Sequence, residues 1–451
     1  MRNVSILYEI GLFLEGITLK HHLKRQFFSA VLPSMLAFMF SGIYAIVDGF
    51  FVGRNVGDTG LAAVNIAYPL VALLQAAGTG IGMGGAIRLS IESGRGNDNA
   101  RKSYAKMTLI LLLAASAVIS VILFFVYRPV LVLFGAEGDI LTLACEYMVP
   151  IVLGAVFQIF GTGLVPLLRN FNDAVGAMLA MIAGFLTNVA LDWLFVSVWS
   201  MGMRGAALAT VIGQAVTFLC CCIFLQRQKL WHFIACGKLS ASKIPSILIV
   251  AVSPFGLTLS PNLVIMIINK AAAIFGTSKD IACYAVVSYA ICVAQLLLQG
   301  VGDGVQPLIS LHYGRGESHS AALLRKYAYL CAAATSIIGI VVLFLCRHLI
   351  PIMFGTSPDV AGDIAFVLPI FLSGLIFVAF LRVTIAYFYA TEQNKLAYLL
   401  IYGEPLLLIV LYCILPNIFG MTGVWAGVPI NQAILSIAAL MILTFQKKKH
   451  V

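Results

Sequence analysis

The chain has 451 residues, of which 61% are hydrophobic and only 10% charged, with a formal net charge of +10. Its mean hydropathy is +1.02. Soluble domains run about 45–50% apolar and about 25% charged, so a cytosolic enzyme, a secreted disulfide scaffold and a disordered chain are all excluded. A polytopic membrane protein remains, embedded in a lipid bilayer.

Residues 1–26 come first. Glu9 and Glu15 interrupt the apolar stretch, and its cluster of positive charge, Lys20, Lys24 and Arg25, comes last. A signal peptide has the opposite order and an uncharged centre. Leu7, Ile10, Leu14 and Ile17 recur at helical spacing and predict an amphipathic helix on the inner membrane face. His21 and His22 then read as interfacial residues rather than ligands.

Apolar helical runs follow at 27–52, 61–92, 104–127, 139–168, 175–197, 203–226, 244–275, 280–313, 321–346, 359–390, 395–416 and 421–445. About 20 apolar residues cross a bilayer as a helix, so these are twelve spans. No alternating strand pattern competes with them. They predict an all-α fold with an N-terminal six-helix lobe at 27–226, a cytoplasmic linker at 227–243 and a C-terminal six-helix lobe at 244–446.

Lys and Arg orient the spans. With both termini cytoplasmic, 21 of the 28 basic residues fall on inner segments. Five fall outside: Arg54, Arg128, Arg204, Lys279 and Arg347. This is the positive-inside pattern of a multi-pass plasma-membrane protein. It accounts for most of the basic excess, and no nucleic-acid partner is needed.

The two halves repeat. Phe134-Gly135 returns as Phe354-Gly355, Arg128 as Arg347, and GRG at 94–96 as GRG at 314–316. GMRGAALATVIGQAV (202–216) returns as GMTGVWAGVPINQAI (420–434). All offsets lie between 218 and 220. Each unit has six spans, so both share one orientation and are related by an axis along the membrane normal, as in transporters.

Polar residues follow the repeat. Asn65, Tyr68, Gln75 and Thr79 share an arc of span two, and Gln295, Gln299 and Asp303 share a face of span eight. Adding 220 maps Gln75 to Gln295 and Thr79 to Gln299. Lipid cannot solvate amides, so matched stripes predict a shared central substrate cavity. Inter-helix hydrogen bonding is the competing reading.

Charges inside spans are rarer. A carboxylate at the bilayer centre costs at least about 2.5–3.5 kcal/mol and marks ion paths. Asp48 lies within span one, on one face with Ser41 and Tyr44. Asp192 follows Asn188 by one turn in span five, and Thr210, Gln214 and Thr217 share a face of span six. Two carboxylates, an amide and a hydroxyl offer oxygen ligands to a small hard cation, or hold a proton. The repeat supplies no equivalents, since Asp48 falls near Asn269 and Asp192 near Val410. The second half carries Lys270, Asp303, Arg382 and Glu404 instead, which suggests pairing there, for example Lys270 with Asp303.

Other features carry less. The ten cysteines lie mostly within apolar runs and read as small helix residues. Gly80, Gly82 and Gly85 match GxGxxG, but no strand precedes them, so close helix approach is the better reading than a nucleotide site. No nucleophile–base set, Walker lysine motif or resident cofactor site is found, and no enzyme is expected.

LPSMLAFMFSGIYAIVDGFFVGR (32–54), LAAVNIAYPL (61–70), GMRGAALATVIGQ (202–214) and GVQPLISLHYG (304–314), set in two six-span halves, carry a resemblance. On these the chain resembles the multidrug and toxic compound extrusion (MATE) family, and more narrowly its MepA-like branch, over nearly all of 25–445. The resemblance implies a secondary antiporter exporting organic cations in exchange for Na⁺ or H⁺. It also implies a cation site of an aspartate in span one, an Asn and Asp one turn apart in span five, and a Thr in span six. Asp48, Asn188, Asp192 and Thr210 match those types. Lys270, Asp303 and Glu404 depart from the branch pattern and admit a zwitterionic or anionic substrate.

The expected function is therefore antiport of a small organic molecule against H⁺ or Na⁺ by alternating access, in a monomer. The cation site is Asp48, Asn188, Asp192 and Thr210. The substrate cavity is lined by Tyr44, Asn65, Tyr68, Gln75, Thr79, Asn269, Lys270, Gln295, Gln299 and Asp303. The alternative is a lipid-linked precursor flippase, which wants a strongly basic cavity.

Overall fold

The computed structural model describes residues 2–354 and 356–449, with side-chain environments over 20–446 except at 45, 278 and 355. The amphipathic face expected over 1–19 and Gly355 of the repeated Phe-Gly pair lie outside these.

The described elements are all helical. The first half comprises α1 (Arg2–Val56), α2 (Asp58–Gly94), α3 (Asp98–Leu133), α4 (Gly138–Leu153), α5 (Ala155–Asn170), α6 (Ala174–Asp192) and α7 (Gly202–Arg227). A π-helical turn, Trp193–Val198, extends α6. The connection holds short α8 (Leu230–Ala235) and a 3₁₀ turn. The second half comprises α9 (Ile244–Phe275), α10 (Ser278–Gly314), α11 (Ser318–Leu345), α12 (Ile350–Met353), α13 (Pro358–Ser373), α14 (Leu375–Ala390), α15 (Asn394–Tyr412), α16 (Leu415–Phe419) and α17 (Met421–Lys449).

Among the described residues, ten helices are long and apolar enough to cross a bilayer, and the pairs α4–α5 and α13–α14 bring the number to twelve. Those two pairs correspond to the runs 139–168 and 359–390, each drawn above as one span and here broken in the middle. They bend by 61° and 40°, at Gly154 and Gly374, which stand 220 residues apart. A side chain on Gly154 would lie 2.4 Å from Val211 Cγ1, and one on Gly374 would lie 2.2 Å from Gln432 Oε1. Each span thus bends where its neighbour presses on a bare backbone. A proline four or five residues earlier, Pro150 or Pro369, removes a helical hydrogen bond beside the bend.

The halves interlock at one end, here called the basic end because residues 88–106, 227–243 and 315–326 lie there. One buried apolar cluster joins Leu23, Phe27, Val31, Met83 and Ile87 of the first half to Leu298, Val301, Val305 and Ile309 of the second. Glycines permit the contact. A Cβ on Gly94 would sit 2.2 Å from Leu311 O, and one on Gly314 would sit 2.1 Å from Ile91 O. The second glycines of the two GRG motifs close their helices at φ +72° and +76°, a left-handed conformation that favours glycine. Each motif therefore does two jobs, a crossing and a cap. Gly82 packs as closely on Gly163, where a Cβ would meet its carbonyl at 2.1 Å, in keeping with close approach rather than phosphate binding.

Candidate functional site

The first site lies inside the N-terminal lobe. Gly184 on α6 and Gly213 on α7 let those helices touch: a Cβ on Gly184 would fall 1.9 Å from Thr217 Oγ1 and 2.7 Å from Gly213 O. That crossing sets Asn188 and Asp192 against Thr210. Asn188 Nδ2 reaches Thr210 Oγ1 at 3.5 Å, while Thr210 itself donates to Ala206 O at 3.0 Å. Asp48 of α1 is a close neighbour of Asp192. The Tyr44 and Tyr147 hydroxyls stand beside Thr210 in the same group. The structure thus brings Asp48, Asn188, Asp192 and Thr210 together, with Tyr147 as a member the sequence reading missed.

What defines the group is its unmet demand. Asp48 Oδ1, Asn188 Oδ1 and both carboxylate oxygens of Asp192 are buried and lack a hydrogen-bond partner. Asp192 is 0% exposed. An unsatisfied buried acceptor costs about 1–3 kcal/mol, and more when charged. Four converging acceptors without a donor suit a proton or a hard cation bound through oxygen. Among the described residues, no three His, Cys, Asp or Glu side chains gather as a metal site. The π-helical turn after Asp192 widens the helix where this carboxylate is presented.

The proposed cavity residues divide. Tyr68 is 41% exposed and faces Asp48 of its own half and Tyr289 and Cys292 of the other. Tyr44 stacks on Phe185 with ring centroids 5.4 Å apart. Asn65 is exposed, and Gln75 and Thr79 are half-buried on the same helix. Asn269 and Lys270 are exposed near the far end of α9.

Gln295 is half-buried on α10. It lines a hollow of about 20 Å³ within the C-terminal lobe, together with Arg382 and Glu404. That is room for about one water. Arg382 is buried but forms no ion pair or side-chain hydrogen bond among the described residues. It lies beside both Asp303 and Glu404.

The suggested Lys270–Asp303 pair is also corrected. Asp303 Oδ2 pairs with Arg169 of the first half, at 3.7 Å, and both side chains are 4% exposed. Asp303 Oδ1 accepts from Gln299 Nε2 at 3.0 Å and from the Tyr389 hydroxyl at 3.2 Å. The Arg169 guanidinium also lies over the Phe38 ring, 5.2 Å from its centroid. A buried acid needs a buried base, and exposed Lys270 is not one.

The next residue, Asn170, makes a reciprocal amide pair with Gln306, at 3.1 and 3.2 Å. Ser90 donates to Asn170 Oδ1 at 2.7 Å, and Ser310 donates to Ala390 O at 3.1 Å. Arg88 pairs with Glu392, and Arg95 reaches the same carboxylate at 3.5 Å. All these polar bonds tie the two lobes, or brace the tie, toward the basic end. Sequence reasoning missed Arg169, Asn170, Gln306 and Glu392 as a set. One signal was available, because Ser90 and Ser310 stand 220 apart, as do their partners Asn170 and Ala390.

Known proteins resemble this arrangement throughout. The family model described as MatE matches residues 33–194 and 257–414. The chain is 22% identical over 413 residues to a protein of Staphylococcus saprophyticus named "Multidrug export protein MepA", covering 91% of each. A protein of the same name in Staphylococcus aureus is 22% identical over 418 residues, again covering 91% of each. Among solved structures, the outward-facing conformation of a multidrug resistance MATE family transporter of the MOP superfamily superposes with a TM-score of 0.88 at 22% identity, covering 94% of this chain and 97% of that one. A MOP superfamily transporter from Pyrococcus furiosus, described as having a binding pocket of reversed polarity, gives 0.87 at 22% identity, covering 94% and 96%.

Proposed function

The chain belongs to the multidrug and toxic compound extrusion (MatE) family, and on that premise we propose that it exports a small organic cation or zwitterion in exchange for H⁺ or Na⁺. The observation that carries this reading is the set of unpartnered oxygens on Asp48, Asn188 and Asp192. In a structural network such groups would be satisfied, whereas an ion site leaves them for the ion. Substrate and ion act on one equilibrium between states open at either end, so binding one favours release of the other. The gradient suffices: about 1.4 kcal/mol per pH unit and about 2.3 kcal/mol per charge per 100 mV. The protein sits in the plasma membrane with the basic end cytoplasmic, in accord with its Lys and Arg distribution, and works as a monomer.

The test is flux in proteoliposomes under an imposed H⁺ or Na⁺ gradient. Counter-movement of an organic cation or zwitterion, abolished by Asp48→Asn, is the expected result. Gradient-driven flux unchanged in Asp48→Asn refutes the assigned site. Lipid translocation without small-solute flux replaces the antiporter by the flippase.

A further inference from the structure

A second hollow, of about 590 Å³, opens at the end of the N-terminal lobe opposite the basic end. It is of ligand size. Arg128 of α3, Thr142 and Glu146 of α4 and Arg204 of α7 supply its polar lining, and Leu141 and Val149 its apolar part. From Leu141 to Val149 the α4 wall runs about 12 Å at 1.5 Å per residue.

The repeat shows what is unusual here. Arg128 and Arg347 are equivalent positions. Arg347 is satisfied locally: it donates to Phe344 O at 2.9 Å, and its guanidinium lies 4.1 Å from the Phe344 ring centroid. Arg128 has no hydrogen bond, ion pair or ring contact among the described residues, and it lines the hollow. A second guanidinium, Arg204, joins it, where the other half has Thr422. Arg204 spends one donor on Glu146 at 3.3 Å, and a guanidinium has five. Two cations against one paired carboxylate leave the hollow with a net positive charge.

The surroundings point to an amphiphile. Phe124 and Phe125 on α3 are 55% and 72% exposed, and Leu153 below Val149 on α4 is 69% exposed. A free anion would use the guanidinium groups and leave the apolar wall idle. An acyl chain continues from the polar rim down that wall. A zwitterionic headgroup is a poorer fit, because its amine finds only Glu146, which is already paired.

We propose that this hollow binds the phosphodiester of an acidic phospholipid, held by Arg128 and Arg204, with its first acyl carbons along α4. Guanidinium and phosphate oxygens match in a bidentate fork. The site is separate from the ion site and stands whether or not the transport reading does.

Native mass spectrometry of the purified protein, offered equal phosphatidylglycerol and phosphatidylcholine, tests it. Phosphatidylglycerol is expected to be retained about tenfold more, a difference of about 1.4 kcal/mol. Arg128→Gln should lower that retention to the phosphatidylcholine level, with Arg204→Gln as an independent second variant. Arg347→Gln makes the same charge change at the equivalent position and should leave retention unchanged. The proposal is overturned if both lipids are held equally, if Arg347→Gln matches Arg128→Gln, or if millimolar inorganic phosphate displaces the lipid.

Discussion

Arg169 and Arg382 flank one carboxylate, and they should push the transporter in opposite directions. Asp303 is paired across the lobes with Arg169 at 3.7 Å, and both groups are almost wholly buried. When the basic end opens, Arg169 leaves with the first lobe. Gln299 and Tyr389 stay with Asp303, and its remaining charged neighbour is Arg382, in its own lobe and without an ion pair among the described residues in the closed arrangement. Arg169→Gln therefore removes a partner used only when this end is closed. Breaking one side of a buried pair costs about 3–5 kcal/mol, and the proximity of Arg382 argues for the lower figure. About 3 kcal/mol shifts the equilibrium toward the open state by roughly a hundredfold, at tenfold per 1.4 kcal/mol. Arg382→Gln removes the partner needed on opening and should shift it the other way. Hydrogen–deuterium exchange in lipid nanodiscs reads both effects on the amides of residues 88–97 and 306–317. Exchange should quicken there in Arg169→Gln and slow in Arg382→Gln, with the opposite end of each lobe moving inversely. A common direction for both variants, which simple destabilisation would produce, refutes the exchange of partners.

Three further outcomes follow from the packing and the ion group. Thermal unfolding of the wild type should shift upward as Na⁺ replaces choline, or as pH falls if the proton is the coupling ion, because ligand binding to the native state stabilises it. Asp192→Asn should remove that dependence without lowering the ion-free midpoint, and a retained dependence speaks against the site. Gly314→Ala places a methyl 2.1 Å from Ile91 O, so the lobes must part at the basic end; overpacking of this kind costs about 1–3 kcal/mol. Flux should fall and exchange at 88–97 should rise, and wild-type flux would refute the crossing. Gly184→Ala collides with Thr217 Oγ1 at 1.9 Å and should loosen the Asn188–Thr210 contact. Adding Thr217→Ala should recover part of the lost ion-dependent stabilisation, and no recovery would mean that another contact sets the crossing.

Twelve spans and the duplication were legible because lipid imposes a simple rule, long apolar helices with basic inner loops. Asp48 and Asp192 stood out for the same reason, since charge in a span has few innocent explanations, and Asn188 stood out by its place one turn before Asp192. Arg169 was not. At the end of the fourth span it looks like any inner-surface cation, and only the bend at Gly154 and the lobe crossing show it to be buried. The partner of Asp303 was misjudged because charge matching was sought within one half, whereas the pair forms between halves. Symmetry reaches only so far: Gln295 shares a hollow with Arg382 and Glu404, whereas the first half has Thr162 and Gly184 at the positions equivalent to those charges, so equivalent positions on duplicated helices need not keep equivalent surroundings.

The glycine crossing also limits where such a chain can change length. Gly94 and Gly314 meet at the ends of helices of 37 residues each. Each residue inserted upstream within a helix turns its far end by about 100° and advances it by about 1.5 Å. One insertion in α2 or α10 would replace a bare backbone by a side chain at the contact, and deletions would do the same. Length variation, epitope tags and fused domains are therefore best placed in the segment joining the halves, around Ser240 and Ser242, whose hydroxyls, among the described residues, bond to each other and to nothing else. An engineer wishing to join or separate the two halves would cut there and leave the paired helices at their native length.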